Sequence, residues 1–542
     1  MSTRRVALST LGALALAACS ADNPVITAPG AAPTLLTAAT AVPTRHLVLF
    51  STAGVPTTFA ATISRLGGRI ETTHAGVGYA SVLELTPTAA AELRKQSGIA
   101  AVTADAPLRR ERPVALEDAF GRRIALDLDA AAVDAAAAAT PESPTAPQTA
   151  FFYPFQWNMR AISAQSAWAA PTAAGRRLGS PNVKVAILDT GIDDLNVDVR
   201  NRVLGSLSAS MLTTHGQFDD EGNPILDKNG DQVMVTDNDS VTVNWPGAPL
   251  WVDLHYHGTH VGATVSSNAL GAAGMTSQTR LIAVKVCSFV EGVGCPESAV
   301  FAGITHAVDN GADVINMSLG GTFSKSEESA RGGTGPAYVA FVNRFLSYAN
   351  SKGVTVVVSA GNSALDLDHD QDGYKTYCNN PNVICVSATG PLQGPISGPG
   401  AFVGPFSNVD APAVYTNFGS SGVDVAAPGG NYTTALIPVP GGDPVETVVS
   451  GGFIWAACSG RSLAPGGCKG SIGSFTALAG TSMASPHVAG LAALLVETYG
   501  RNPSAIRSAI EAAADDKGKS GTDPYYGKGR INVARALGLP VI

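Results

Sequence analysis

The architecture of this chain is best read from the stretch Gly480-Thr481-Ser482-Met483-Ala484-Ser485-Pro486-His487-Val488-Ala489-Gly490. Ser482 stands directly before an apolar, helix-forming run that continues to Glu497. Backbone N–H groups at a helix N-terminus favour negative charge, so a serine there can act as a nucleophile beside an oxyanion site. Serine is also a favoured N-cap residue that needs no chemistry. A nucleophile therefore requires a base, an orienting acid and a second oxyanion donor elsewhere in the chain.

A candidate acid follows a short apolar run. Val185-Ala186-Ile187-Leu188 is typical of a buried parallel strand, and it leads into Asp189-Thr190-Gly191-Ile192-Asp193. A carboxylate at the carboxyl end of such a strand lies where α/β sheets place their chemistry. An Asp close to a Gly also favours a simple turn, so Asp189 alone does not settle the matter.

A candidate base lies in a histidine cluster. His255, His257 and His260 fall within six residues of one another, and the chain has only nine histidines in total. His257 can serve as a general base at the start of a helix, or the three imidazoles can ligate a metal ion. The HExxH zinc pattern is absent, because Gly258 and Thr259 separate His257 from His260.

A candidate oxyanion donor follows another buried strand. Val354-Thr355-Val356-Val357-Val358 leads into Ser359-Ala360-Gly361-Asn362. A side-chain amide in this position can direct an N–H at a carbonyl oxygen, although Asn after Gly is also common in turns. Asp, His, Asn and Ser thus stand at strand or helix ends, in that chain order.

Together these blocks resemble the subtilases, the subtilisin-like serine endopeptidases. The order Asp, His, Ser is that of the family. The resemblance extends to Ile315-Asn316-Met317-Ser318-Leu319-Gly320-Gly321 and to Tyr526-Gly527-Lys528-Gly529-Arg530-Ile531-Asn532, and so covers nearly all of residues 150–540. An α/β-hydrolase elbow would need Gly at the second residue after the nucleophile, where this chain has Ala484.

The resemblance implies a serine endopeptidase with a role for each matched residue. Ser482 attacks the scissile carbonyl, and His257 takes its proton and later delivers it to the leaving amine. Asp189 holds the imidazole tautomer. Asn362, with the backbone N–H of Ser482, donates to the tetrahedral oxyanion.

Binding roles are implied as well. Ser318, Leu319 and Gly320 form an extended edge that pairs with the backbone of a protein or peptide substrate. His260 is structural in this family, and the resemblance assigns no role to His255. The implied fold is α/β: a subtilisin-like three-layer fold with a central, mostly parallel sheet. Apolar strands alternate with helical runs such as 298–310 and 338–352, which independently favours a parallel sheet covered on both faces.

The N-terminus predicts export from a bacterial cell. Arg4-Arg5 precedes the apolar run 6–18, which is too short to span a membrane and is typical of a signal peptide. Leu16-Ala17-Ala18-Cys19-Ser20 resembles a lipobox, in which Cys19 is lipidated and anchors the protein; an ordinary cleaved signal peptide is the alternative. We therefore expect a secreted or lipid-anchored protein, with residues 1–19 as signal and 20–43 as an Ala-, Pro- and Thr-rich tether.

The cysteines are consistent with export. Seven are present, and six remain once Cys19 is set aside. They form three closely spaced couples, for which local pairing is the simplest connectivity: Cys287–Cys295, Cys378–Cys385 and Cys458–Cys468.

Residues 44–112 predict a small α+β domain of ferredoxin-like type. Strands are expected at 46–50, 80–85 and 99–104 and helices at 57–66 and 89–95, with one middle strand unassigned. This segment also resembles the subtilase propeptide, an intramolecular chaperone and inhibitor; an unrelated small binding domain is the alternative. Residues 113–150 then form a linker, 151–542 the catalytic domain, and self-cleavage is expected somewhere in 106–150.

Acidic loops suggest structural calcium. The run 366–373 contains D-x-D-x-D-G, in which Asp368, Asp370 and Asp372 can converge on one hard cation, although the terminal Glu of a calcium loop is missing. A solvated acidic loop is the alternative. The run 227–231 is a weaker candidate, and Asp198 and Asp424 match family calcium positions in incomplete surroundings.

Composition narrows the remaining options. The net charge of −8 comes without a basic cluster, which argues against nucleic-acid binding, and no motif indicates an organic cofactor. Two segments, 205–250 and 429–476, exceed the compact family pattern, and the sequence does not show whether they affect substrate access. A catalytically silent binding protein of the same fold and a calcium-binding adhesin remain alternative functions.

Overall fold

The computed structural model describes residues 45–105, 107–108, 114–115, 124–125, 146–169, 179–216, 225–228, 230, 233–290, 293–320, 322–324, 335–369, 373–375, 377–392, 406–437 and 445–542. The predicted signal peptide and lipobox with Cys19, the tether and most of the linker lie outside this set. The described residues belong to one contiguous unit, which spans 36–542.

The first part of the described chain is a small α+β domain. Its elements are β1 (His46–Phe50), α1 (Phe59–Arg65), β2 (Arg69–His74), β3 (Tyr79–Leu83), α2 (Pro87–Arg94) and β4 (Ile99–Ala104). The strands form an antiparallel sheet in the order β2-β3-β1-β4, with the βαββαβ element order of a ferredoxin-like fold. The unassigned middle strand is β2. We call residues 45–105 the cover domain.

Three two-residue strands follow, namely β5 (Pro107–Leu108), β6 (Val114–Ala115) and β7 (Ile124–Ala125). The elements up to the first acidic block are α3 (Trp157–Ala161), α4 (Ala164–Ala169) and β8 (Lys184–Asp189), preceded by 3-10 turns at Pro147–Thr149 and Tyr153–Phe155. The next group is β9 (Ala209–Ser210), β10 (His215–Gly216), β11 (Met234–Val235), α5 (Asp237–Asn244), α6 (His257–Val265), β12 (Arg280–Lys285), β13 (Cys295–Pro296) and α7 (Glu297–Asp309).

The C-terminal half completes the fold. Its elements are β14 (Val314–Met317), β15 (Thr322–Ser324), α8 (Gly335–Ser351), β16 (Thr355–Ser359), β17 (Gly373–Lys375), β18 (Val383–Thr389), β19 (Val425–Pro428), β20 (Asn431–Ile437), β21 (Val445–Gly452), β22 (Ile454–Ala457), β23 (Ser474–Ala479), α9 (Thr481–Tyr499), α10 (Pro503–Ala513) and α11 (Val533–Ala536).

A seven-stranded parallel sheet organises this body, in the order β19-β18-β16-β14-β8-β12-β9. Successive residues of β8 face opposite sides: Val185 and Ile187 join one apolar core with α6 and α9, while Ala186 and Leu188 join another with α7 and α8. Helices therefore cover both faces, which is the predicted three-layer α/β arrangement.

The cover domain packs on the layer formed by α7 and α8. Val48 and Phe50 of β1 enter the domain's own core, whereas Leu47 and Leu49 point the other way into the core beneath α8. Tyr79 meets Phe345 edge to face, with ring centroids 5.1 Å apart. Because both faces of the small sheet are apolar, one of them needs a partner, and the helical layer supplies it.

Within the described residues, no helix combines the length and the hydrophobicity needed to cross a lipid bilayer.

Candidate active site

Asp189 and His257 meet at the carboxyl end of the parallel sheet. Asp189 ends β8 and His257 begins α6, and both side chains are almost fully buried. Asp189 Oδ1 lies 2.8 Å from His257 Nδ1 and accepts a further bond from Thr190 N at 2.7 Å. A carboxylate accepts at Nδ1 only when that nitrogen carries the proton, so Nε2 is the basic nitrogen of the neutral ring.

The loop after Asp189 and the helix of His257 are also joined through Asp253, which the sequence patterns did not indicate. This buried carboxylate accepts hydrogen bonds from Thr190 Oγ1 at 2.9 Å, from His255 N at 2.8 Å and from Thr259 N at 2.9 Å. An acidic residue shortly before a helix is an N-cap signal that could have revealed it.

The acid loop and the base helix approach each other closely. A Cβ atom at Gly258 would lie 2.1 Å from the carbonyl oxygen of Gly191, so only glycine fits at this position. The Gly258 N–H donates to Thr190 Oγ1 at 2.9 Å. The glycine that follows His257 is thus required by packing.

Ser482 lies in the first turn of α9 and is 4% exposed. Its hydroxyl donates to Ser318 O at 3.3 Å, and Ser318 Oγ donates in return to Ser482 O at 2.8 Å. His257 Nε2 is buried and makes no hydrogen bond within the described part of the chain. The serine hydroxyl therefore bonds to the Ser318 carbonyl in this arrangement; nucleophile–base bonds are often long before substrate binds.

Asn362 follows β16 and lies beside the same helix start. Its Oδ1 accepts hydrogen bonds from Thr481 N at 2.8 Å and from Thr481 Oγ1 at 2.7 Å. Because the amide is planar, these two bonds fix its orientation and direct Nδ2 away from Thr481. Thr481, the residue before Ser482, thus fixes the direction in which the side-chain N–H groups of Asn362 point.

Ser318, Leu319 and Gly320 follow β14 along the cleft. Asn316 Nδ2 donates to Ser318 Oγ at 2.9 Å, and Ser485 Oγ of α9 donates to Asn316 Oδ1 at 2.7 Å. This chain of bonds holds the segment against the nucleophile helix. Space around Gly320 is open, since a Cβ there would have no neighbour within 4 Å among the described residues.

The three clustered histidines have separate partners. His257 bonds to Asp189, His260 Nε2 lies 2.9 Å from Ile454 O, and His255 Nδ1 accepts from His257 N at 3.2 Å. Burial lowers the pKa of His260 to about 3, so this ring is neutral. Nothing in this arrangement brings the three rings to one point as metal ligands.

His487 of α9 is another buried neutral imidazole. Its Nδ1 lies 2.7 Å from Met483 O, and its Nε2 accepts from Asn158 Nδ2 at 2.9 Å. Burial lowers the pKa of His487 to about 4.

The predicted calcium ligands are only partly described. The exposed Asp368 accepts bonds from Ser420 N at 2.7 Å and from Ser421 N at 3.0 Å and Oγ at 2.5 Å, whereas Asp370 and Asp372 lie outside the described residues. These three bonds use most of the roughly four lone-pair positions of the carboxylate. In the described part of the chain, no three His, Cys, Asp or Glu side chains converge on a common point.

The two family calcium positions are otherwise engaged. Asp198 accepts three backbone bonds of 2.7–3.1 Å from residues 270–272, and Asp424 forms an ion pair with Arg507. Burial raises the pKa of Asp198 to about 6, against the effect of those backbone donors. Among the described residues, neither carboxylate belongs to a group of three His, Cys, Asp or Glu side chains that could hold a metal ion. In the weaker candidate at 227–231, residues 229 and 231 lie outside the described set.

Three disulfides join the closely spaced couples, Cys287–Cys295, Cys378–Cys385 and Cys458–Cys468. The first one is near the acid: Cys287 N donates to Asp189 O at 3.1 Å, and Cys295 lies in β13.

Short segments after the cover domain pair with two strands of the catalytic body, β13 and β23. Leu108 of β5 pairs with Cys295 of β13 in antiparallel register. Val114 of β6 pairs with Ala479, the last residue of β23, which lies three residues before Ser482. β7 pairs with the start of the same strand.

Comparison with known proteins places this geometry in a family. The model of the subtilase family, Peptidase_S8, matches residues 180–529. Thermitase of Thermoactinomyces vulgaris is 30% identical over 395 residues, which cover 72% of this chain and 99% of thermitase. Subtilisin DY of Bacillus licheniformis is 29% identical over 358 residues, which cover 66% of this chain and 90% of the relative.

Solved structures share the fold. The epidermin leader peptide processing serine protease of Staphylococcus aureus aligns with a TM-score of 0.58 at 18% identity, over 91% of this chain and 98% of that one. Fervidolysin of Fervidobacterium pennivorans, a keratinolytic enzyme related to subtilisin, aligns with a TM-score of 0.54 at 20% identity, over 93% of this chain and 62% of that one.

Proposed function

This chain belongs to the subtilase family and is a serine endopeptidase, and we propose that Ser482, His257 and Asp189 carry out its reaction through an acyl-enzyme. The observation that carries the proposal is the 2.8 Å contact between Asp189 Oδ1 and His257 Nδ1. It leaves Nε2 as the base, on a buried ring at the end of the sheet, and Ser482 stands in the first turn of α9 (Thr481–Tyr499).

In the first half-reaction, a peptide carbonyl enters the cleft and the Ser482 hydroxyl leaves its bond with Ser318 O to attack it. The proton passes to His257 Nε2, and Asp189 stabilises the imidazolium without taking a proton itself. The tetrahedral oxyanion is met by the Ser482 backbone N–H and by Asn362 Nδ2. His257 then protonates the leaving amine. In the second half-reaction, water takes the place of the amine, attacks the acyl-enzyme and releases the acid product.

A serine-directed fluorophosphonate tests this assignment. We expect it to label Ser482, and we expect Ser482→Ala to abolish both labelling and peptide hydrolysis, because the nucleophile is gone. Ser351→Ala is a matched control, since Ser351 is an exposed serine of α8 that bonds only to a carbonyl of its own helix. Full activity in Ser482→Ala would end the proposal.

Substrate binding follows from the strand edges at the cleft. Ser318, Leu319 and Gly320 offer one extended edge and β13 another, so a peptide can lie between them as an added strand. The pairing of Leu108 with Cys295 is consistent with this mode, because the chain's own segment uses the β13 edge. The substrates proposed are therefore extended segments of proteins and peptides.

We propose that the protein is made as a zymogen in which the cover domain is an intramolecular inhibitor and chaperone. The support is the position of the segments that follow it. Leu108 pairs with β13 of the catalytic body, and Val114 pairs with the end of β23, three residues before Ser482. We therefore propose that self-cleavage, predicted within 106–150, occurs at one of the peptide bonds between Leu108 and Val114.

N-terminal sequencing of the purified wild-type protein tests the zymogen proposal. We expect a new N-terminus between residues 109 and 114, and an uncleaved chain in Ser482→Ala. Cleavage at the same place in Ser482→Ala, or a mature N-terminus that precedes the cover domain, would overturn it.

We further propose that the protein is exported from a bacterial cell and carries a lipid anchor on Cys19. A separate proposal is that the loop 366–373 binds structural calcium. The support for export is the signal-type N-terminus together with three disulfides, which persist in oxidising compartments. Metabolic labelling with a radioactive fatty acid tests the anchor: label in the wild type and none in Cys19→Ser is expected, and an unlabelled wild type would contradict it.

A further inference from the structure

A pocket of about 530 Å³ lies next to the acid loop, and nothing in the proposed reaction uses it. Its walls combine Asp193, Asp194 and Leu195 with Trp245 from one inserted segment and Arg461 and Ile472 from the other. We call it the insertion pocket. Segments 205–250 and 429–476, which exceed the compact family pattern, therefore meet at a concave surface large enough to hold a ligand group.

The charged groups of the insertion pocket leave one negative charge uncompensated. Arg461 Nη1 lies 3.0 Å from Asp194 Oδ1 and 3.5 Å from Asp193 Oδ1, so one guanidinium faces two carboxylates. Burial raises the pKa of Asp193 to about 6, and it is therefore mostly ionised at neutral pH. The Asp193 side chain is 2% exposed, whereas that of Asp194 is 34% exposed. Asp194 is thus the charge that a ligand can reach.

Apolar surface surrounds that charge. Leu195 is 44% exposed and Ile472 is 43% exposed, and both line the pocket. The half-buried Trp245 is held by a small cluster with Val241 and Val252, so its ring forms a fixed wall. An aromatic wall, aliphatic neighbours and one exposed carboxylate suit the long stem and cationic head of a Lys or Arg side chain.

The backbone register of β23 leads to this pocket. Val114 pairs with Ala479 and Ala125 pairs with Ser474, so the two short strands β6 and β7 both run antiparallel to β23, away from Ser482, with eleven residues of chain set against five of β23. Ile472 lies two residues before Ser474. A substrate that paired with every residue of β23 would take about five residues from Ala479 to Ser474, roughly 17 Å, and about two more to the level of Ile472, which lies in the turn before the strand.

From these observations we propose that the insertion pocket binds a basic side chain of a polypeptide substrate, about eight to thirteen residues beyond the scissile bond on the leaving-group side. This rests on the proposed function, because the substrate takes the place of the segment that pairs with β23. The pocket is then a determinant of substrate choice for long, extended chains and does not affect short peptides.

Three synthetic peptides with the same cleaved sequence test the proposal on the self-processed enzyme. One ends three residues after the scissile bond, one extends fourteen residues with Lys at the eighth to thirteenth positions, and one has Glu at those positions. We expect kcat/KM for the Lys peptide to exceed that of the truncated peptide about fivefold, the size of a partly exposed ion pair with a cation–π contact. The Glu peptide should show no gain. Equal values for the Lys and truncated peptides would overturn the proposal.

The ratio of kcat/KM between the Lys peptide and the truncated peptide is the readout for variants. Asp194→Asn should bring this ratio close to one, while Asp516→Asn, a remote aspartate that bonds within its own loop, should leave it unchanged. An undiminished ratio in Asp194→Asn would also overturn the proposal. If the proposed function itself were wrong, a different result would show it: Ser482→Ala would still cleave the truncated peptide.

Discussion

Asp105 caps the helix that begins beside Ser298: Ser298 donates its backbone N–H to the carboxylate at 2.9 Å and its hydroxyl at 2.5 Å. Asp105 is the last residue of the cover domain, whereas α7 (Glu297–Asp309) belongs to the catalytic body. The helix's own N-cap residue, Pro296, provides no side-chain cap. The cover domain therefore satisfies one backbone donor at this helix end, which the helix's own N-cap residue does not bind.

We expect Asp105→Ala to weaken the hold of the cover domain. Loss of an N-cap carboxylate costs about 0.5–2 kcal/mol, so the dissociation constant of the cover domain after self-cleavage should rise about 2- to 30-fold. The measurement is the time course of activity after self-cleavage, which should show a shorter latent phase. Asp516→Ala serves as the matched control, and an unchanged latent phase in Asp105→Ala would contradict the prediction.

We expect Asn362→Ala to lower kcat about 10²- to 10³-fold with little change in KM, because the amide contributes most once the oxyanion forms. Asn362 also bonds to Thr481, so the loss could instead come from a displaced nucleophile loop. Thr481→Val separates the two causes, since it removes the hydroxyl bond and keeps the amide donor. A kcat loss in Thr481→Val as large as that in Asn362→Ala would contradict the oxyanion role.

The positions of the candidate catalytic residues were predictable because each sequence pattern is local. Asp189 follows an apolar strand, and Ser482 precedes an apolar helix, so a few neighbouring residues place each of them at the carboxyl end of the sheet. The sequence does not predict strand β2 (Arg69–His74), for the opposite reason. Its residues are exposed or half-buried, so its sequence lacks the apolar run that marked the other strands of the cover domain.

Contacts between distant parts of the chain could not be predicted from the sequence. Asp105 and Ser298 are 193 residues apart, and Trp245 and Arg461 meet only because two inserted segments fold against the acid loop. Asp424 was matched to a calcium position because the sequence does not show that Arg507 of a later helix lies against it. A local pattern shows which chemistry a side chain offers, and the tertiary fold determines its partner.

We expect calcium removal to shorten the half-life of the enzyme at elevated temperature, through the loop 366–373. Asp368 joins this loop to the turn at Ser420 and Ser421, and the loop begins four residues after Asn362. Ligand at 100 times its dissociation constant stabilises a folded protein by about 2.7 kcal/mol. The measurement is residual activity after heating with EDTA or with calcium.

The double variant Asp370→Asn/Asp372→Asn should have the short half-life in both buffers, because its loop lacks two carboxylates. Asp227→Asn tests the weaker candidate loop in the same assay. If EDTA leaves the wild-type half-life unchanged, structural calcium is absent under these conditions and the prediction is wrong.

We expect acid to destabilise the fold through His487. Burial lowers the pKa of this imidazole from 6.5 to about 4, so between these values the unfolded chain binds a proton that the folded chain does not. Stability is therefore fully present above pH 6.5 and falls as the pH decreases towards 4. Between pH 6.5 and pH 5, this one residue lowers the free energy of unfolding by about 2 kcal/mol.

Urea unfolding of Ser482→Ala, which cannot digest itself, measures this effect, with Ser482→Ala/His487→Gln as the comparison. The difference between the two unfolding free energies isolates His487, because all other titrating groups are present in both proteins. Asp193 is one of them: its raised pKa makes the fold more stable as the pH falls from about 6 to 3.8, opposite to the effect of His487. The substituted glutamine carries no titrating group, so the free-energy difference between the proteins should shrink by about 2 kcal/mol between pH 6.5 and pH 5. A difference that stays constant with pH would mean that the folded protein accommodates a charged imidazole between Met483 and Asn158.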